Sequence, residues 1–125
     1  ISIRELDGPF DLFIFSHVLE HLRDPVAVLK RLLPLLEPGG YVLVAVPNTL
    51  EWRSRLQLLL GYFEYADHGI FDRTHLRFFT YRSAPKELIE PLQDVTLEVQ
   101  KGNGAAPLGP LRHWLLPQSI RSAID

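Results

Sequence analysis

The chain contains no cysteine and no methionine. Without thiols it can form neither a disulfide nor a thiolate zinc site, and it has no cysteine nucleophile. Long hydrophobic runs are missing too. None approaches the roughly 20 residues that a membrane-spanning helix needs, so no membrane span is expected. Charge of one sign is also lacking: thirteen Lys plus Arg face fifteen Asp plus Glu, a formal net charge of −2. Such a balance gives no global field to gather nucleic acid or an anionic membrane, and neither is expected as a partner. The absence of methionine has a further implication, because an initiator Met before a bulky Ile is ordinarily retained. Ile1 therefore reads as an internal residue of a longer protein. A reducing, cytoplasmic setting is compatible with zero cysteine and is the expected location.

What is present suits one ordinary α/β domain or a large part of one. The 125 residues are 46% hydrophobic with charges well mixed, which excludes a disordered polypeptide. Phe10 to Phe15 is a short, nearly continuous apolar run entered through Asp7-Gly8-Pro9. Such a run predicts a buried strand of a parallel sheet. Asp24 can cap a following helix, and Pro25 fits its first position. Val26, Leu29, Leu33 and Leu36 repeat at helical spacing, with Leu32 widening the stripe. Pro34 removes a backbone donor near the last turn and predicts a kink or a tightened end. Glu37-Pro38-Gly39-Gly40 then turns the chain into a second buried strand, Tyr41 to Val46. Strand, amphipathic helix, turn and strand make one right-handed βαβ unit.

Farther on, Asn48 with Glu51 forms a capping-box pattern for a helix bearing Trp52, Leu56, Leu59 and Leu60 and stopped by Gly61. Tyr62 to Tyr81 lacks periodicity and reads as a long loop, a kind of segment that often carries function. Ser83 opens a short helix through Leu92. Val95, Leu97 and Val99 alternate with polar residues, which predicts a half-exposed, antiparallel edge strand. It ends at Gly102-Asn103-Gly104. From Ala105 to Asp125 three prolines break a weak pattern around Leu111, Trp114, Leu115 and Leu116.

Ligands of open α/β sheets bind beyond the carboxyl ends of the strands. That rim is furnished here by Ser16, His17, Glu20 and His21 after the first strand, and by Pro47 and Asn48 after the second. The long loop adds His68, Asp72, Arg73, His75 and Arg77, so four of the five histidines fall in these clusters. A single loop histidine is most simply a solvated one. Their concentration at the rim where ligands go favours a functional reading.

The stretch from Phe10 to Leu22, then Asp24-Pro25, Leu36-Glu37-Pro38-Gly39-Gly40 and Pro47-Asn48, resembles the second half of a class I S-adenosylmethionine-dependent methyltransferase. His68-Gly69-Ile70-Phe71-Asp72 and His75-Leu76-Arg77-Phe78-Phe79-Thr80 resemble a subgroup acting on small molecules, sugars or lipid-linked precursors. The resemblance runs from about residue 7 to about residue 101. It implies a partial Rossmann-like fold with S-adenosyl-L-methionine as cofactor. Ser16, His17 and Val18 match the wall around the methionine part of that cofactor. Glu20 and His21 match a pair on the substrate side, which helps hold a divalent metal in some quinone-precursor methyltransferases. Those relatives carry another Glu where this chain has His17, so no metal is expected. Asn48 matches a polar residue at the mouth of the site. His75 and Arg77 match a loop motif that closes over the substrate or orients an anionic part of it. If the acceptor is a hydroxyl, His17, His21 or His75 could take its proton.

The family's glycine-rich loop and its ribose-binding acidic residue have no counterpart in this sequence, and cofactor binding is expected to need residues upstream of Ile1. Residues 1–104 are accordingly read as the C-terminal half of a methyltransferase domain and 105–125 as an extension. An exposed sheet edge would invite homo-oligomers. Two other readings compete. A non-catalytic α/β scaffold would explain the missing glycine loop. A zinc peptidase is suggested by His17-Val18-Leu19-Glu20-His21, a literal H-x-x-E-H, with Glu98 as a distant third ligand. That motif needs a sustained helix, whereas here it leaves a strand and meets Asp24-Pro25 within a turn. The peptidase is the weaker reading.

Overall fold

The fold is taken from a computed structural model, which describes residues 6–102. The expected extension 105–125, the apolar cluster within it and most of Gly102-Asn103-Gly104 lie outside the described residues. Strand β1 is Phe10–Ser16 and strand β2 is Leu36–Ala45. They pair in parallel, with Leu12 opposite Tyr41, Phe13 opposite Val42, Phe15 opposite Val44 and Ser16 opposite Ala45. Helix α1, Pro25–Leu32, makes the crossover between them. The expected βαβ unit is therefore present, and both strand tips point the same way.

Local chemistry explains the crossover. Asp24 caps α1 by accepting a bond from the Ala27 N–H at 2.8 Å, and Pro25 occupies the first helical position, where no donor is missed. Pro34 cannot donate to the carbonyl four residues back, so the helix stops at Leu32 and tightens into a 3-10 turn, Leu33–Leu35. The second strand then begins earlier than its sequence suggests. Leu36 already pairs with Phe10, and the Pro-Gly-Gly stretch is an irregularity within β2 rather than a turn before it. Gly39 has φ +83°, and a side chain on Gly40 would come within 3.0 Å of the Asp11 carbonyl oxygen.

One face of this sheet forms the core. Phe15, Val42 and Val44 pack against a buried cluster of Leu19, Leu29, Phe79 and Leu88. The opposite face is open: Ile14 is 60% exposed, Tyr41 66% and Leu43 57%. The expectation of strands buried on both sides is thus corrected. Among the described residues the elements packed on the sheet lie on one side only.

Helix α2, Trp52–Leu59, is capped by the Glu51 side chain, which accepts from the Ser54 N–H at 3.1 Å. The expected cap, Asn48, instead turns back on itself by accepting from the Leu50 N–H at 3.2 Å. Gly61, at φ +81°, follows the end of the helix as expected. Of α2 only Ser54 is buried, so Leu56 and Leu59 face outward. Residues 62–81 contain no helix or extended strand, in keeping with a long loop. Helix α3, Ser83–Leu88, is shorter than the predicted reach to Leu92. Its start is fixed by a reciprocal pair: the Thr80 N–H donates to Ser83 Oγ and the Ser83 N–H to Thr80 Oγ1, both at 3.0 Å.

The antiparallel edge strand at Val95–Val99 does not form among the described residues; β1 and β2 make a sheet of two strands. Alternation alone gives this segment no neighbouring backbone to pair with, and Leu97 and Val99 are exposed.

Leu29 is 2% exposed at the centre of the core, whereas the Asp24 cap bond is exposed. Leu29→Ala should cost about 2–5 kcal/mol and Asp24→Ala about 1 kcal/mol in urea unfolding, an order that identifies the packed side of the sheet as the source of stability.

Candidate functional site

The polar cluster grows from the end of β1. Ser16 closes the strand, and His17 turns the chain with φ +54°, a left-handed conformation uncommon for a residue with a side chain. Its N–H still donates to the Ala45 carbonyl at 2.9 Å, so the turn is anchored to the tip of β2. A single 3-10 turn follows, Leu19–His21. Leu19 is driven into the core, and its neighbour Glu20 is carried in with it at 1% exposure.

The long loop is bolted to this turn. The N–H groups of Leu76 and Arg77 both donate to the Glu20 carbonyl, at 2.8 and 3.0 Å, and the Arg77 guanidinium donates to the Arg23 carbonyl. His21 and His75 thereby meet edge to face with ring centroids 4.8 Å apart. One ligand atom from each of Glu20, His21 and His75 lies within 4.8 Å of the others.

Hydrogen bonds fix the tautomers of both rings. Thr74 Oγ1 donates to Asp72 Oδ1 at 2.7 Å, which uses its only proton. It can therefore only accept from His21 Nδ1, 3.2 Å away, as can the Thr74 carbonyl at the same distance. His75 Nδ1 likewise donates to the Ile70 carbonyl at 3.0 Å. In both neutral rings the free lone pair is on Nε2.

The remaining site residues fall as follows. Ser16, His17 and Val18 are exposed at the tip of β1. Asn48 sits beside Phe79 through a short backbone bridge, with its side-chain oxygen engaged at Leu50. Arg77 spends its guanidinium on the Arg23 backbone carbonyl. His68 and Glu98 are exposed and outside the group. The H-x-x-E-H string fails as a peptidase motif, because it spans a strand end and one 3-10 turn, so no helix aligns His17 with His21. Thr74 escaped the sequence reading. Its signal was Asp72-Arg73-Thr74, a pattern in which an Asp side chain accepts from the backbone two residues on, here at 2.8 Å.

The described residues contain no strand, glycine-rich loop and helix in succession of the kind that cradles a nucleotide cofactor. The donor pocket is not complete within them.

Asp72 is held below the ordinary aspartate range, first by the Thr74 hydroxyl bond, then by the Thr74 N–H bond, with His75 and His21 contributing. Its folded pKa is depressed, so the loop bonding it supports is fully present above the unfolded value of about 3.9 and is lost as pH falls through the lower folded value. Thr74→Val should move the Asp72 midpoint upward in a carbon-detected carboxyl titration; an unmoved midpoint would show that the hydroxyl is not its partner.

Comparisons with known proteins bear on the family. A family model described as a methyltransferase domain matches residues 1–88. The ubiquinone biosynthesis O-methyltransferase of Rhodopseudomonas palustris (strain BisB5) is 33% identical over 107 residues, which covers 82% of this chain and 40% of that protein. The protein of the same name from Caulobacter vibrioides (strain ATCC 19089 / CIP 103742 / CB 15) is 44% identical over 41 residues, 33% of this chain and 16% of that one. The chain thus spans less than half the length of the curated relatives it matches. Parallel strands joined by a helix crossover, polar residues gathered at their shared tips and a family match over most of the sequence agree: the chain belongs to the methyltransferase-domain family, on a partial class I α/β fold.

Proposed function

We propose that the chain forms the acceptor side of an S-adenosylmethionine-dependent methyltransferase and acts on a hydroxyl oxygen of a small-molecule, sugar or lipid-linked acceptor. One observation carries most of the weight. The tips of β1 and β2 lie side by side, and loop 62–81 returns to them, so residues distant in sequence share one rim. The relatives are named as O-methyltransferases, which supports oxygen as the receiving atom. S-adenosylmethionine supplies an electrophilic methyl group, and such a transfer depends mainly on alignment of donor and acceptor.

The chain's own residues then divide the work. Ser16, His17 and Val18 border the donor. Glu20, Asn48, His75 and Arg77 border the acceptor, Arg77 chiefly by holding the loop. An acceptor hydroxyl loses its proton to an imidazole: His17 is 63% exposed at the strand tip, and His21 and His75 offer Nε2 lone pairs. The chain spans 40% of the first relative's length, and the rest of the donor pocket would come from residues outside it. The open face of the sheet is where such residues, or a second copy, would cover Ile14, Tyr41 and Leu43.

Calorimetry with S-adenosylhomocysteine tests the reading. The 125-residue chain should show negligible heat and the longer parent clear stoichiometric binding. Tight binding by the short chain would show that the pocket is made of different parts, and no binding by the parent would favour a scaffold without a cofactor.

A further inference from the structure

Three imidazoles stand at the rim, and the acid nearest to them has no partner. Both carboxylate oxygens of Glu20 are buried, and neither has a hydrogen bond among the described residues. A carboxylate taken out of water is strongly disfavoured unless a donor reaches it. The bonds already made decide which donor can. His21 and His75 each bring one ligand atom within 4.8 Å of Glu20, but their Nδ1–H groups are committed to the carbonyls of Thr74 and Ile70. A neutral imidazole carries a single N–H, so these two rings have none left to give. His17 is different: its Nδ1 stands 3.4 Å from Glu20 Oε1.

The backbone supports that pairing. His17 takes the left-handed φ of +54°, held by the bond from its N–H to the Ala45 carbonyl, and the 3-10 turn Leu19–His21 follows at once. A side chain 63% exposed is thereby set against one 1% exposed, three positions on. Glycine would adopt the same backbone without strain, so the turn by itself does not call for an imidazole.

We propose that Glu20 is a positioning residue for His17: its carboxylate accepts the Nδ1–H, sets the tautomer of the ring and leaves the Nε2 lone pair at the open tip of β1. A small rotation that brings the two atoms to about 2.8 Å completes a charge-assisted bond. What the ring then does rests on the methyl-transfer reading above. The O–H bond of the acceptor breaks, its proton joins Nε2, and the electron pair stays on the oxygen that receives the methyl group. The ring has become an imidazolium, and the carboxylate beside it balances the new charge. His21 and His75 rest on neutral carbonyls, and Asp72 is bonded to Thr74 rather than to either ring. His17 is therefore the imidazole equipped to take the proton, and the other two line the acceptor side.

The full-length protein, with its histidines labelled in heavy nitrogen, tests the pair by long-range proton–nitrogen correlation at a pH where the rings are neutral. The His17 signal, identified by its loss in His17→Asn, should show one tautomer, with the proton on Nδ1. His68, exposed in the long loop, should show the mixture of a solvated ring. Glu20→Met fills the site but accepts no hydrogen bond, and should return His17 to such a mixture. Asn tolerates a left-handed backbone, so H17N keeps the turn. In urea unfolding, the cycle of H17N, E20M and the double variant should show a coupling of roughly tenfold in the unfolding constant. A His17 proton found on Nε2 in the parent overturns the pairing, and needs no variant to fold. So does folded E20M in which His17 keeps its single tautomer, or a cycle additive within about twofold. These measurements use neither cofactor nor acceptor. The pair can fail while S-adenosylhomocysteine still binds the parent, and the converse is equally visible.

Discussion

A single backbone oxygen organises the site. The Glu20 carbonyl accepts the N–H groups of both Leu76 and Arg77, and with it a loop lacking helix or extended strand is fastened to the turn after β1. Ordering such a loop costs about 1–2 kcal/mol of entropy per residue, which two hydrogen bonds cannot repay by themselves. The balance comes from the residues that follow. Phe79 is 1% exposed in the core, and the Thr49 N–H donates to its carbonyl at 2.7 Å. Thr80 then pairs with Ser83 to open α3, which buries Leu88. His75 is held because hydrophobic burial four residues later pulls the loop down onto the sheet.

The same economy explains the asymmetry of the sheet. Parallel strands ordinarily occur with both faces covered. Here α1, α3 and Phe79 cover one face, leaving Ile14, Tyr41 and Leu43 exposed on the other. The alternation is strict, since Leu12, Ile14, Tyr41 and Leu43 share the open side while Phe13, Phe15, Val42 and Val44 share the packed one. Apolar residues on the open face would suit the inner surface of a layered structure covered on both sides.

How much of this was readable in the sequence differs with the physics involved. The βαβ unit was, because Asp24-Pro25 and the leucine stripe specify a helix locally and the flanking apolar runs admit few alternatives. Of the two outcomes that Pro34 predicts, a kink or a tightened end, the structure has the tightened end. The strand boundary at Leu36 was not, since pairing with Phe10 is a long-range effect that overrides the turn chemistry of Pro38-Gly39-Gly40. Val95–Val99 failed for the converse reason: alternation specifies a face, and a strand also needs a neighbour. At the site, the order of Glu20-His21 after a strand placed them at the rim. The meeting of His75 with His21 depends on bonds between residues more than fifty positions apart, which no local pattern encodes.

Glu20 combines two roles that use different atoms. Its carbonyl holds the loop, while its side chain is carried inward because Leu19 fills the core and the 3-10 turn leaves little freedom between neighbours. A hydrophobic residue at this position could keep the same backbone bonds and avoid the cost of an unpartnered carboxylate. The anchoring of the loop therefore does not account for the acid. Beside the acid stand His17 Nδ1, 3.4 Å from Oε1, and one ligand atom each of His21 and His75 within 4.8 Å. Because clasp and side chain are separable, a change confined to the carboxylate probes those neighbours without loosening the loop.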